Sequence, residues 1–143
     1  MRKLFTFLSI LICGLLLGCE NQSVDNYQDY LSNIEKITIT PIIDNSPLND
    51  HAHNIENPDT IESIITLLNN SQKTLEDGKY EAENVAEHLI QFYKREGLEL
   101  DDIPGVYYST GTLVYVTEDG KTIVHHINST KNVEIRNLLQ ISN

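Results

Sequence analysis

Tryptophan is missing from this chain, cysteine occurs only twice, and 10 basic residues stand against 21 acidic ones among 143 residues. The cysteines are Cys13 and Cys19. If the N-terminal segment is cleaved, Cys19 remains without a partner for a disulfide, so we expect an apolar core to hold the mature domain. The formal net charge of −11 argues against nucleic acid as a partner and against direct adsorption to anionic lipid.

The start of the chain has the parts of a secretory signal peptide. Arg2 and Lys3 form a basic start, an apolar run follows over 4–17, and the small residue Gly18 precedes Cys19. The apolar run is shorter than the roughly 20 residues that a membrane-spanning helix needs. A basic start, a short apolar stretch and a small residue before the cut together predict a leader that is removed.

The end of the apolar run, Leu16-Leu17-Gly18-Cys19, resembles the lipobox of bacterial lipoproteins. The resemblance implies cleavage between Gly18 and Cys19, lipidation of Cys19, and attachment to the cell membrane on its extracytoplasmic side. Leu17 departs from the family, which usually has Ala, Ser, Thr or a β-branched residue there. Two other interpretations stay open: an ordinary signal peptide in which Cys19 is incidental, and an uncleaved anchor helix.

The chain divides into three segments on this interpretation. Residues 1–18 are the signal peptide, and 19–33 are the lipidated cysteine with a polar, flexible tether. Residues 34–143 are long enough for one domain with a single core.

Periodicity within the domain predicts both strands and helices. Alternating β-branched residues predict a strand over 36–43, and 51–55 is a candidate short strand. Asn57 and Pro58 have the chemistry of a helix start, and an apolar stripe extends that helix to about residue 68. The remaining elements are predicted at 106–109, 113–116 and 121–127 as strands, with a hairpin turn at 118–120, and after Ser129 or Thr130 as a last helix.

The stretch 83–96 is ambiguous, because its apolar spacing favours a helix while 88–94 is also a run of strand-forming residues. The order of the other elements is strand, helix, strands, helix. We therefore predict an α+β fold: a small antiparallel sheet with two main helices packed on one face, preceded by the signal peptide and the tether.

Two stretches of the domain resemble the YhfM-like lipoproteins, small lipoproteins of bacilli and their relatives. One is 61–73, which ends in Asn69-Asn70 and Lys73; the other runs from Gly111-Thr112 through the hairpin to Leu138-Leu139. The resemblance covers about residues 36–140 and implies that 88–94 is a strand. It brings no assigned reaction and no catalytic residue.

Histidines offer the clearest candidate for metal chemistry. His51 and His53 are alternate residues, so they would point the same way from a strand, and His125 or His126 could join them in a zinc or copper site, with His126 preferred. His125 and His126 would lie on opposite faces of one strand. The alternative is that His51 and His53 belong to a polar loop. No fixed metal-binding motif spacing is present, and we expect no cofactor.

The sequence favours a binding or interaction module over an enzyme. It has no Gly-x-Ser-x-Gly elbow, no phosphate-cradling loop and no twelve-residue calcium loop. Glu99, Asp101 and Asp102 are expected in a solvated loop, and an exposed tyrosine stripe could bind a peptide or glycan. The expected partners are the membrane, through Cys19, and a protein of the cell envelope. The alternatives are a histidine-based metal binder and an acidic inhibitor or immunity lipoprotein.

Overall fold

An antiparallel sheet is the centre of the computed structural model, which describes residues 30–76, 80, 85–96, 99–117 and 119–141. In this part of the chain, eight strands form the sheet and two α-helices lie against it. The strands are β1 Ile34–Ile43, β2 Ser46–Pro47, β3 His53–Ile55, β4 Gln72–Glu76, β5 Ala86–Glu96, β6 Glu99–Tyr108, β7 Thr112–Val116 and β8 Thr122–His126. The helices are α1 Pro58–Asn69 and α2 Ser129–Leu138, and a 3₁₀ turn covers Asn49–His51.

The strands are arranged in the order β2-β1-β5-β6-β7-β8-β4, and β3 also pairs with β1. The longest ladder joins β5 to β6, from Ala86 opposite Tyr108 to Glu96 opposite Glu99. β4 lies at one edge of the described sheet, where it pairs with β8. β2 and β3 lie at the other edge. Helices therefore have a broad, continuous surface on which to pack.

One side of the sheet, here called the helical face, carries the core. Alternate residues point to it from each strand, as Ile39 on β1 and Ile90 on β5 do where they pair. Both helices bury apolar side chains against this face, which confirms the predicted α+β fold. The largest core side chains that are at most 2% exposed are Leu31, Ile37, Ile39, Ile64, Leu68, Ile90, Phe92, Tyr107, Leu113, Ile123, Ile135 and Leu139.

Both helices begin at a capping asparagine. Asn57 Oδ1 accepts a hydrogen bond of 2.9 Å from the Thr60 amide, and Pro58 takes the first helical position, as predicted for α1. At α2 the predicted cap is wrong by one or two residues. The cap is Asn128, whose side-chain oxygen accepts from the Lys131 amide at 3.0 Å, and not Ser129 or Thr130.

Three stretches of strand differ from what periodicity predicts. The stretch 83–96, where spacing favours a helix, contains β5 from Ala86 onward, in agreement with the strand implied over 88–94. The predicted acidic loop over 99–102 is instead the start of β6, because those residues pair with β5. β4 was not predicted at all. Pairing with β8 makes it a strand, although it follows directly after a helix end.

The N-terminal predictions lie outside the described residues, which begin at 30. These are the signal peptide, the cleavage between Gly18 and Cys19, and most of the tether. The last tether residues form a turn over 30–33, and Leu31 is buried at 2% exposure, so the core begins a few residues before 34. No helix within the described residues is long and apolar enough to cross a membrane.

Candidate functional site

An open groove runs between the two helices on the side away from the sheet. It has a volume of about 550 Å³. Leu67 is buried at 6% exposure and supplies an apolar wall, whereas the other lining side chains are polar. The groove is lined by Asp59, Glu62, Ser63, Thr66, Leu67 and Asn70 of α1 and its C-terminal cap, and by Lys131 and Glu134 of α2.

Charge in the groove is predominantly negative. Three carboxylates, those of Asp59, Glu62 and Glu134, face a single ammonium group, that of Lys131. A concave surface lined by one sign of charge focuses the field and raises the local concentration of ligands of the opposite sign. The groove is therefore suited to a cationic ligand, and its open, polar walls suit a side chain or peptide better than an apolar small molecule.

A buried histidine joins the C-terminal end of α1 to the sheet. His125 on β8 is fully buried, and its Nδ1 lies 3.0 Å from the Leu68 carbonyl oxygen. Because a carbonyl oxygen can only accept, Nδ1 carries the proton and donates. The Ser71 hydroxyl donates to the same carbonyl at 2.7 Å, and its oxygen lies 2.8 Å from Nδ1.

The far side of the same ring contacts β7. The Tyr115 hydroxyl lies 3.4 Å from Nε2 of His125, and the two rings stack with centroids 5.5 Å apart. Burial lowers the pKa of His125 to about 4, with the positive charges of Lys73 and His126 acting in the same direction and the Leu68 carbonyl opposing it. The ring is therefore neutral at pH 7 and holds the helix end in that form.

The second helix is held by an ion pair and by a tyrosine. Arg136 Nη1 donates to Glu87 Oε2 at 2.6 Å, with the two side chains 11% and 32% exposed. The Arg136 guanidinium also lies 6.0 Å from the centroid of the Tyr107 ring. The buried Tyr107 hydroxyl donates to Asn132 Oδ1, and burial raises the pKa of that tyrosine. These contacts join α2 to β5 and β6.

Two further histidines lie under α2. His53 on β3 uses Nε2 to donate to the Leu139 carbonyl at the helix end, at 2.8 Å. His88 on β5 is half-buried, and its buried Nδ1 has no hydrogen-bond partner among the residues that the structure describes. Burial lowers the pKa of His88, with Glu87 raising it and Arg136 and His53 lowering it further. Burial therefore favours the neutral form of the His88 ring.

The predicted metal ligands are not gathered in one place. His51 is exposed on the 3₁₀ turn. His53 pairs with Ile39 and so points to the helical face, whereas His126 is exposed on the opposite face, 3.3 Å from Thr74 Oγ1. Four strands lie between β3 and β8. No group of three or more His, Cys, Asp or Glu side chains arranged to hold a metal ion occurs within the described ranges.

Tyrosines are divided between the two faces of the sheet. Tyr107 and Tyr115 are core residues at 0% and 4% exposure. Tyr108 and Tyr93 lie on the opposite face: Tyr108 contacts Tyr80 with ring centroids 6.0 Å apart, and the Tyr93 ring lies 3.9 Å from the Lys36 ammonium. The exposed tyrosine stripe expected from the sequence is therefore smaller than predicted. On the face opposite the helices it consists of Tyr80, Tyr93 and Tyr108, and all three are half-buried.

Several residues of these contacts were missed in the sequence. No sequence motif marks Glu87, Ser71, Asn132 or Arg136. For the two histidines of β8, the only sequence signal was the alternation of faces along a strand, which predicted that His125 and His126 point in opposite directions. That alternation is confirmed: His125 is buried and His126 exposed. The acidic residues of α1 could have been noted as a polar stripe. Their pairing with α2 to form a groove depends on a contact between elements about 70 residues apart.

The chain was compared with family models, with curated proteins and with solved structures, and no match was found in any of the three. Function must therefore be argued from the residues and their geometry.

Proposed function

We propose that this chain is a lipid-anchored, extracytoplasmic binding module that performs no chemistry and holds a basic segment of a cell-envelope protein in the groove between α1 and α2. The observation that carries the proposal is the groove itself. Three carboxylates and one ammonium group line an open concavity of about 550 Å³. A basic peptide segment fits this charge and shape, because complementary potentials steer encounter and fix the register of binding.

Rigid walls support a binding role for the groove. Pre-formed sites avoid the entropy cost of ordering loops when the partner binds. Here α1 is fixed by buried Ile64 and Leu68, and α2 by Ile135 and the contacts of Arg136. The groove walls are helices and not loops, so a partner would meet a surface that is already arranged.

The pairing of Ser71 with His125, which has the residue types of a catalytic pair, also supports a binding role. A serine next to a histidine is the beginning of a nucleophile–base arrangement. Ser71 and His125 are 2.8 Å apart, but the ring is fully buried and bonded to the Leu68 carbonyl. This geometry serves helix packing and gives no substrate access to the histidine, so we favour binding over catalysis.

The anchor follows from the leader and the lipobox-like sequence that ends at Cys19. Several acyl chains on Cys19 would hold the domain at the membrane more firmly than one chain does. The test is a Cys19→Ser variant followed by membrane fractionation and labelling with a radioactive fatty acid. We expect loss of the label and release from the membrane fraction. Retention of Cys19→Ser on the membrane would contradict the anchor, and a Cys13→Ser variant is the matched control.

The binding face is tested by photo-crosslinking in intact cells with the full-length chain. A crosslinking amino acid at Thr66, exposed in the groove, is compared with one at Asp50, exposed on the 3₁₀ turn. We expect an envelope protein to crosslink from Thr66 and not from Asp50, and basic residues to flank the crosslinked site of that protein. Crosslinks from Asp50 alone would place the partner elsewhere and overturn the role of the groove.

A second candidate, an acidic inhibitor or immunity lipoprotein, uses the same groove and the same charges. It differs in the consequence of binding, since the partner would lose an activity. If the protein captured at Thr66 is an enzyme or toxin, its activity measured with and without this chain separates inhibition from simple tethering.

A further inference from the structure

His125 occupies a position where burial disfavours a charge on its ring. Its ring is fully buried between the end of α1 and strand β7. The neutral ring is matched on both sides, since Nδ1 donates to the Leu68 carbonyl and Nε2 faces the Tyr115 hydroxyl. Among the described residues, no carboxylate acts on the ring; the charges that do are those of Lys73 and His126, both positive when protonated.

The groups that face the ring come from four elements, and in the described part of the chain the Leu68 carbonyl alone favours the protonated ring, an effect smaller than that of burial. The end of α1 contributes the Leu68 carbonyl and the Ser71 hydroxyl, and β7 contributes Tyr115. β4 contributes Lys73, which pairs directly with His125, and β8 itself contributes His126. An imidazolium here would be desolvated without a counter-ion, and that raises its free energy steeply.

The strand beside the ring is an edge strand of the described sheet. β4 has five residues and lies at the edge of the described sheet, paired with β8. It follows α1 directly, through Asn70 and Ser71. Displacing β4 and the last turn of α1 would hydrate the ring and leave the long β5–β6 ladder intact, so a local opening is sufficient to admit a proton.

We propose that His125 is an acid-operated latch: protonation of its ring releases the C-terminal turn of α1 and the edge strand β4 from β8, while β1, β5 and β6 stay paired. Asn70 and Thr66 line the groove and belong to the released segment. Acid would therefore change the shape of the groove, although the latch itself does not depend on the groove having a partner.

The direction of the pH effect follows from the two states of the ring. In the closed state the pKa of His125 is about 4, whereas a hydrated ring titrates near its ordinary value of about 6.5. The open state therefore binds the proton more tightly, and its population rises as the pH falls from 6.5 towards 4. Linkage gives an opening constant about 50-fold larger at pH 4.5 than at pH 7.

Hydrogen exchange of the full-length chain in detergent micelles measures this opening. After correction for intrinsic exchange rates, we expect the opening constant of amides in 66–76 to rise about 50-fold between pH 7 and pH 4.5. Amides of the β5–β6 ladder should change far less. An equal rise in both regions would mean global acid unfolding and would overturn the latch, as would no rise in 66–76.

Variants assign the effect to the ring. His125→Asn keeps a donor near the Leu68 carbonyl but cannot titrate, and His125→Phe keeps ring volume and also cannot titrate. Either should abolish the rise in 66–76, and His126→Asn, the exposed neighbour, should retain it. A rise that persists in a folded His125 variant would overturn the proposal.

The wild-type ring gives a decisive reading even if both variants fail to fold. The chemical shift of the His125 C2 proton should keep the value of a neutral ring until hydrogen exchange in 66–76 begins to rise. Titration near pH 6.5 without any change in exchange would overturn the proposal.

Discussion

The two helices lie on the same face of one sheet, but they are held there by different forces. α1 buries four apolar side chains, those of Ile61, Ile64, Leu67 and Leu68. Within the bounds of α2, Ile135 is the buried side chain and Leu138 is partly buried against the core, with Leu139 buried directly after the helix. The attachment of α1 therefore depends mainly on area removed from water, whereas that of α2 adds charge and hydrogen-bond geometry to a smaller apolar contact.

The polar contacts also differ between the two helices. The end of α1 meets a neutral, fully buried ring, His125. α2 is attached to β5 through the ion pair between its own Arg136 and Glu87, and this pair keeps partial contact with water. A buried neutral group resists salt but responds to acid, and a partly exposed ion pair responds to salt. Two neighbouring walls of one groove are thus sensitive to different conditions.

The largest expected effect comes from the apolar attachment of α1. Ile64 is completely buried, and Ile64→Ala should lower the free energy of unfolding by about 3 kcal/mol through lost burial and the cavity left behind. Urea unfolding followed by circular dichroism measures the change. The matched control is Val133→Ala on α2, where the side chain is 52% exposed; we expect less than about 0.5 kcal/mol there. Equal losses of stability at both positions would contradict the claim that α1 is held by its buried apolar side chains.

A smaller effect is expected at the polar attachment of α2. Glu87→Gln leaves Arg136 with a neutral partner and should cost about 1–2 kcal/mol at low salt, with a smaller cost in 1 M salt. Thermal unfolding at the two salt concentrations checks this. Glu35→Gln, which breaks the exposed Arg95–Glu35 pair, is the control and should leave the midpoint unchanged. A salt-independent loss for Glu87→Gln would show that packing, and not charge, holds α2.

The elements with strong local signals were predictable from sequence. The alternation of β1 and the cap and stripe of α1 are local patterns, and both were predicted in place. β4 was missed because Gln72, Lys73 and Glu76 are poor strand formers, and pairing with β8 outweighs that preference. The acidic start of β6 was taken for a loop for the same reason, since its ladder with β5 is visible only in three dimensions.

The candidate site was less predictable than the fold. Lys131 and Glu134 meet Asp59 and Glu62 only because both helices pack on one face. The three histidines proposed as metal ligands show the reverse problem. His51 and His53 are close in sequence, but a change from 3₁₀ turn to strand separates their surroundings, and His126 points away on the other face. Spacing along the chain predicts neither the meeting of the two helices at the groove nor the separation of the three histidines.

The central claim is that the groove binds through its negative charge, and an affinity measurement on the captured partner tests it most directly. The double variant Glu62→Gln with Glu134→Gln removes two groove charges. Asp50→Asn with Glu56→Gln removes two exposed charges outside it. At low salt the account predicts roughly tenfold weaker binding for the groove variant and almost none of that loss for the control. Equal weakening by both pairs would mean that net charge, and not the groove, attracts the partner, and would contradict the account.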